Sequence, residues 1–241
     1  MSIALKLVLA PLLAAQAVAT RRRAPVLPEA EGPREGRVGR GAGALRLLIA
    51  GDSSAAGVGV AHQRDALAGQ LTRALHQLSA RPVHWSLHAR SGLTTQQVHA
   101  LLRSTTLPTA EVAVVVTGVN DVIDLVPPRR AVQHRAALAD WLLGERGVAH
   151  VVFAPLPPVH RFPLLPQPLR RVMGDDARRH DAALAQWAAG RSGVSHLAID
   201  FDLSPDAMAS DGFHPGEPVY RACGAVIADH IARITTKETP A

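Results

Sequence analysis

The chain has 241 residues, 47% of them hydrophobic, 19% charged and 3% aromatic, and a formal net charge of +6. These values fit one full-sized folded domain with an extra segment and exclude wholesale disorder, a collagen-like repeat and a polytopic membrane protein. Eight aromatic residues are too few for stacking platforms on single-stranded nucleic acid, and the charge is no DNA or RNA signal: residues 1–40 hold seven basic against three acidic residues, residues 41–241 hold 19 against 17.

Residues 1–20 read as a membrane-targeting segment, apolar from 3 to 19 except for Lys6 and Gln16 and followed at once by Arg21, Arg22 and Arg23. Arginines placed there oppose translocation, so the expectation is uncleaved attachment to a membrane surface with the domain on the cytoplasmic face. The alternative is cleavage near Ala19 and a periplasmic or secreted protein. Residues 21–43 are rich in Gly, Pro, Glu and Arg without periodicity and read as a basic linker. The folded domain is expected over 44–236, with 237–241 as a tail.

Within that domain, short apolar runs alternate with helical periodicity. Strands are expected at 45–50, 83–89, 112–117, 148–153 and, more weakly, 195–199. Helices are expected at 65–79, 95–102, 130–143, 169–189 and 218–234. This is an α/β pattern: a three-layer α/β/α sandwich around a mainly parallel five-stranded sheet, with its site at the carboxyl ends of the strands. Residues 155–168 hold six prolines, too long and stiff for a simple connection. Phe162, Leu164 and Leu165 in that loop are candidates to line an apolar substrate groove.

The candidate chemistry falls at strand ends. Gly51-Asp52-Ser53-Ser54 follows the first strand, where a strand-to-helix turn exposes the Ser53 hydroxyl and free N–H groups. Gly92 follows the second strand and Asn120 the third, so their amides and Ser53 can converge on one point as donors to an oxyanion. Asp211 stands three residues before His214, a spacing that lets the acid orient the ring through Nδ1 and leave Nε2 to take a proton from serine. Asp202 and Asp206 are the alternative acids. Gly57-Val58-Gly59 lacks the third glycine of a dinucleotide fingerprint and the Lys of a phosphate loop. The single Cys223 allows neither an intrachain disulfide nor a cysteine-based zinc cage and reads as a core residue of the last helix.

These four blocks, in this order over residues 45–234, resemble the SGNH or GDSL hydrolase family, with Ser54 where the family name has Leu. The resemblance implies a flavodoxin-like fold over the 44–236 domain and a serine hydrolase cleaving carboxylic esters through an acyl-enzyme on Ser53. It assigns Asp211 and His214 as acid and base, and the Ser53 N–H, Gly92 N–H and Asn120 side chain as the oxyanion hole. No metal or cofactor is implied, and the partner is a small-molecule or lipid ester. Open alternatives are an O-acetyl or acyl esterase or acyltransferase acting on a carbohydrate, and a non-catalytic binding domain of the same fold.

Overall fold

A computed structural model describes residues 3–236, with side chains from Leu7 onward. The tail expected at 237–241 lies outside the described residues. The chain opens with α1 (Ile3–Arg23), then β1 (Glu35–Val38), β2 (Leu45–Gly51), α2 (Ser53–Ala56), α3 (Leu67–Ser79) and β3 (Val83–Ala89). Next come α4 (Thr95–Arg103), β4 (Val112–Val116), α5 (Val119–Ile123), α6 (Pro128–Gly144), β5 (His150–Phe153), α7 (Leu169–Ala188), β6 (Val194–His196) and α8 (Glu217–Thr236). The sheet order is β1-β3-β2-β4-β5-β6, and every pair is parallel except β1 with β3.

The three layers follow from the alternation of side chains along β2. Leu45, Leu47 and Ile49 face Leu71 and Leu75 of α3 and Ile227 and Ile231 of α8. Leu48 and Ala50 face the opposite way, onto Val98 and Leu102 of α4, Leu138 and Leu142 of α6 and Leu184 of α7. Because both faces are covered, the central strands are nearly continuous apolar runs. Each fully buried leucine stabilises the fold by about 2 kcal/mol. Gly51 is in register with Ala89 and Val116, so the segments that follow three adjacent strands leave the sheet at one edge.

The sheet has six strands where five were expected. The sixth, β1, comes from the segment read as a linker: Glu35 pairs with Ser86 and Val38 with Val83. Its residues are largely exposed, so no apolar alternation marks it. Backbone pairing carries it instead, and Gly36 lets the Trp85 ring lie across the strand, with the indole Nε1 3.1 Å from where a Cβ would stand. Residues 21–43 are therefore partly built into the sheet.

The apolar N-terminal segment is helical, but among the described residues no helix is long and apolar enough to cross a membrane. Helix α1 instead docks on the start of α7. Gln16 Nε2 donates to Gln167 O at 2.6 Å, Leu169 N donates to Gln16 Oε1 at 3.1 Å, and Leu13 packs against the buried cluster that includes Phe162, Leu165 and Leu169. A spanning role for this segment is thus not supported.

Candidate active site

Strand β2 ends at Gly51, and Asp52 then caps α2, its Oδ1 accepting from Ser54 N at 3.1 Å. This places Ser53 at the first position of a one-turn helix, outside the sheet edge. Its Oγ lies 3.0 Å from His214 Nε2, and His214 Nδ1 lies 2.6 Å from Asp211 Oδ2. The other Asp211 oxygen accepts from the backbone N–H groups of Phe213 and His214, both at 2.9 Å. Burial raises the Asp211 carboxyl pKa, but the hydrogen bonds from His214 and Phe213 outweigh burial and hold it below the usual range. Asp202 instead accepts from Ser204 N and is exposed. Among the described residues His214 has Asp211 as its carboxylate partner.

The donor side is built from two more turns. Arg90 N donates to Gly51 O at 3.3 Å, which ties the Gly92 turn to the Ser53 turn. Gly92 has φ +80°, a conformation that favours glycine. Neither its N–H nor that of Ser53 donates to an acceptor among the described residues. Asn120 on α5 donates its Nδ2 to Leu93 O at 3.1 Å and, at the longer distance of 3.4 Å, to Asp52 Oδ2. Asp52 is buried, and burial, reinforced by Asp121, pushes its carboxyl up to about 7 against the lowering effects of Ser54 N–H and His214.

Beneath these turns lies a buried polar cluster that sequence reasoning missed. Asp121 accepts from Thr95 N at 3.1 Å and from the Thr95 hydroxyl at 2.5 Å, and Arg135 Nη2 stands 3.3 Å from its carboxylate. Asp121 and Arg135 are both fully buried. The cluster joins α4, which follows the Gly92 turn, to α5, which carries Asn120. A signal was present: Arg135 falls on the face of α6 that buries Ala131, Leu138 and Leu142, where a charge needs a partner.

Ser53, Asn120 and His214 open into a cavity of about 80 Å³. Phe162, Phe201, Leu203, Met208, Phe213 and Val219 supply much of its apolar wall. Of the three loop residues expected there, only Phe162 contributes, its ring packed edge-on to Phe213. Leu165 turns into a buried cluster, and Leu164 is held by its N–H on Gly212 O, so neither lines the cavity. Gly92 is also absent from the wall. Cys223 borders the cavity with a thiol that burial pushes up to about 12. Among the described residues no group of three or more His, Cys, Asp or Glu side chains is placed to hold a metal ion.

Comparison with known proteins gives the same architecture. A lipase from a goat rumen metagenome is 18% identical, covers 78% of this chain and 97% of its own, and has a TM-score of 0.61. A family 3 carbohydrate esterase from Clostridium thermocellum is 15% identical over 80% of this chain and 99% of its own, with a TM-score of 0.61. The psychrotrophic esterase EstA of a Pseudoalteromonas species is 16% identical over 79% and 98%, with a TM-score of 0.58. No curated protein sequence matches this chain. The family model described as GDSL-like lipase/acylhydrolase matches residues 49–222, which span the Ser53, Gly92, Asn120 and Asp211–His214 turns in order. With most of its length matched and those turns gathered at one sheet edge, the chain belongs to the GDSL-like lipase/acylhydrolase family.

Proposed function

We propose that this protein is a serine esterase that hydrolyses carboxylic esters through an acyl-enzyme on Ser53. The observation that carries the reading is the unbroken relay from Asp211 through His214 to Ser53, at 2.6 and 3.0 Å, ending in an apolar cavity. His214 Nε2 takes the hydroxyl proton as Ser53 Oγ attacks the ester carbonyl, and Asp211 stabilises the imidazolium that forms. The oxyanion is received by the N–H groups of Ser53 and Gly92 and by Asn120 Nδ2, whose long contact to Asp52 is the bond given up. His214 then passes its proton to the departing alkoxide. Water, deprotonated by the same nitrogen, cleaves the acyl-enzyme and returns Ser53 to its starting state.

The wall of Phe162, Phe201, Leu203, Met208 and Phe213 supports acyl chains longer than acetyl. Cleavage of a carbohydrate ester, the class named for the Clostridium thermocellum neighbour, uses the same residues, as does acyl transfer to an alcohol. The test is hydrolysis of p-nitrophenyl acetate, butyrate and octanoate by the full chain and by Ser53→Ala, with fluorophosphonate labelling. Turnover and labelling that vanish in Ser53→Ala, with kcat/KM rising beyond acetyl, are expected. Turnover that survives in Ser53→Ala overturns the mechanism, and a sharp preference for acetyl overturns the acyl-chain reading.

A further inference from the structure

The segment that precedes the family-matched region reaches the site. Glu29 Oε1 accepts from Ser91 N at 2.7 Å and from the Ser91 hydroxyl at 2.9 Å. Its other oxygen pairs with Arg34 Nη2 at 2.5 Å, and Arg34 Nη1 donates to Ala89 O at 2.7 Å. Two side chains from residues 29–34 thus grip the main chain at both ends of the stretch that leads into Gly92. The same strap holds the nucleophile turn. Ala30 N donates to Ala56 O at 3.3 Å, and the buried Gln63 amide donates to both Ala30 O and Ala56 O, at 3.1 and 2.9 Å.

The backbone is anchored on either side of Gly92, by Arg90 N on Gly51 O and by the buried Leu93, but little else fixes the turn between them. Residues 90–92 are exposed, and no atom lies within 4 Å of where a Gly92 Cβ would stand, so side-chain packing does not set its conformation. A glycine at φ +80° with open space around it has more backbone freedom than any other residue. A donor that must meet an oxyanion needs that freedom removed before the reaction, since preorganisation is what makes such donors effective. Hydrogen bonds from Ser91 to an ionised carboxylate are the strong, charge-assisted kind. Burial raises the Glu29 pKa, but Ser91 and Arg34 together hold it below the usual range, so the carboxylate stays charged. Arg34 also offsets that charge, which would otherwise oppose negative charge developing at Gly92.

We propose that Glu29, seconded by Arg34, is a positioning residue that sets the Gly92 N–H for the oxyanion through Ser91, so that the strap before the matched region is part of the catalytic apparatus. This rests on the esterase reading above. It assigns a role to residues 29–34, which the family match at 49–222 does not include.

The experiment compares the full chain with Glu29→Ala, Glu29→Gln, Ser53→Ala and, as a control in the exposed edge strand, Arg37→Ala. It measures kcat and KM on p-nitrophenyl butyrate, melting temperature, and hydrogen exchange at the Ser91 amide. Glu29→Ala is expected to lower kcat about tenfold with KM within about twofold, because a donor is displaced and not removed. Ser91 amide protection is lost in the same variant, Glu29→Gln recovers part of kcat because its amide oxygen still accepts, and Arg37→Ala behaves as wild type. A purely structural strap would shift the melting temperature alone and leave kcat unchanged well below it, and that result overturns the proposal. Equal Ser91 exchange in wild type and Glu29→Ala also overturns it. If Ser53→Ala is inactive while Glu29→Ala runs at full rate, the strap proposal fails alone. If Ser53→Ala remains active, the esterase reading fails and the strap proposal with it.

Discussion

Replacing Asp211 by Asn tests the relay at its buried end, where the geometry restricts what the new side chain can do. One oxygen of Asp211 accepts from two backbone N–H groups at 2.9 Å, and the other meets His214 Nδ1 at 2.6 Å. An Asn at this position keeps its single oxygen on the two N–H groups, because turning the amide round would bring three donors together in a site that is 5% exposed. Its NH2 group therefore faces Nδ1. The ring must then accept at Nδ1 and carry its proton on Nε2, the nitrogen that faces Ser53 Oγ at 3.0 Å. In that tautomer Nε2 cannot take the serine proton. The expected loss in kcat is about 10³- to 10⁴-fold, or about 4 to 5.5 kcal/mol of transition-state stabilisation. Stability should change far less, by about 1 to 3 kcal/mol for one charge-assisted hydrogen bond, because the backbone contacts survive. Ester hydrolysis, fluorophosphonate labelling rate and melting temperature are measured together, with Asp202→Asn as the control. If Asp211→Asn keeps its fold and loses less than tenfold in kcat, or if Asp202→Asn loses as much, the relay is wrongly assigned.

Asp52 carries a pH signature of the opposite sign. A carboxyl raised to about 7 keeps its proton in the folded state while the unfolded chain gives it up near 3.8, so this group's stabilising contribution is full below about 4, falls as pH rises to about 7, and is flat above. Urea titrations from pH 4 to 8 should show Asp52→Asn gaining on wild type by up to about 4 kcal/mol across that window, and parallel curves would refute the assignment. Arg135→Ala strands the Asp121 carboxylate in a dry site and should cost about 3 to 5 kcal/mol in chemical denaturation; a loss below about 1 kcal/mol would mean that the pair does not hold the two turns together. Gly59→Ala places a Cβ 2.2 Å from Pro215 O and must push the His214 turn off Ser53, at about a hundredfold in kcat. Gly147→Ala, at φ +66° with nothing within 4 Å, carries backbone strain alone, and equal kcat in the two variants would refute the steric argument.

What could be read from the sequence, and what could not, divides by the range of the interaction. Strands β2, β3 and β4 are close to their expected bounds because strands buried on both faces are unbroken apolar runs. Ser53 and His214 stand out because tight turns and short spacing are local properties. Strand β1 left no trace, since an exposed edge strand is held by its backbone and not by its side chains. Glu29 was equally silent: its partner is 62 residues away, and no local pattern encodes a carboxylate that folds back onto a turn. The raised pKa of Asp52 was equally silent, because it comes from burial in the folded chain and from Asp121 of α5, 69 residues away. Of the proline-rich loop, Phe162 lines the cavity and Leu164 and Leu165 do not, because proline spacing says that a loop is stiff without saying which side chains face the cavity.

The two halves of the site rest on different supports, and this bears on how each would fail. Ser53, Gly92 and Asn120 leave the ends of three adjacent parallel strands, so their spacing is fixed by the sheet register, by the buried Thr95–Asp121–Arg135 cluster below and by the 29–34 strap at the side. Asp211 and His214 sit between β6 and α8 in a stretch without regular helix or strand. There the turn is closed by Ala209 N on His214 O and Gly212 N on Ala209 O, both at 2.9 Å, and wedged against the nucleophile loop at Gly59. Tyr220 of α8 reaches the same loop, donating its hydroxyl to Val58 O at 2.7 Å. A sheet edge loses its geometry only with the core, whereas a turn held by a few backbone bonds and one close contact can be displaced without unfolding. Loss of the Glu29 carboxylate should therefore appear in the donors and leave proton transfer intact, while damage at Gly59 should appear in proton transfer and leave the donors intact. The two lesions should multiply when combined, because they act on separate parts of one transition state.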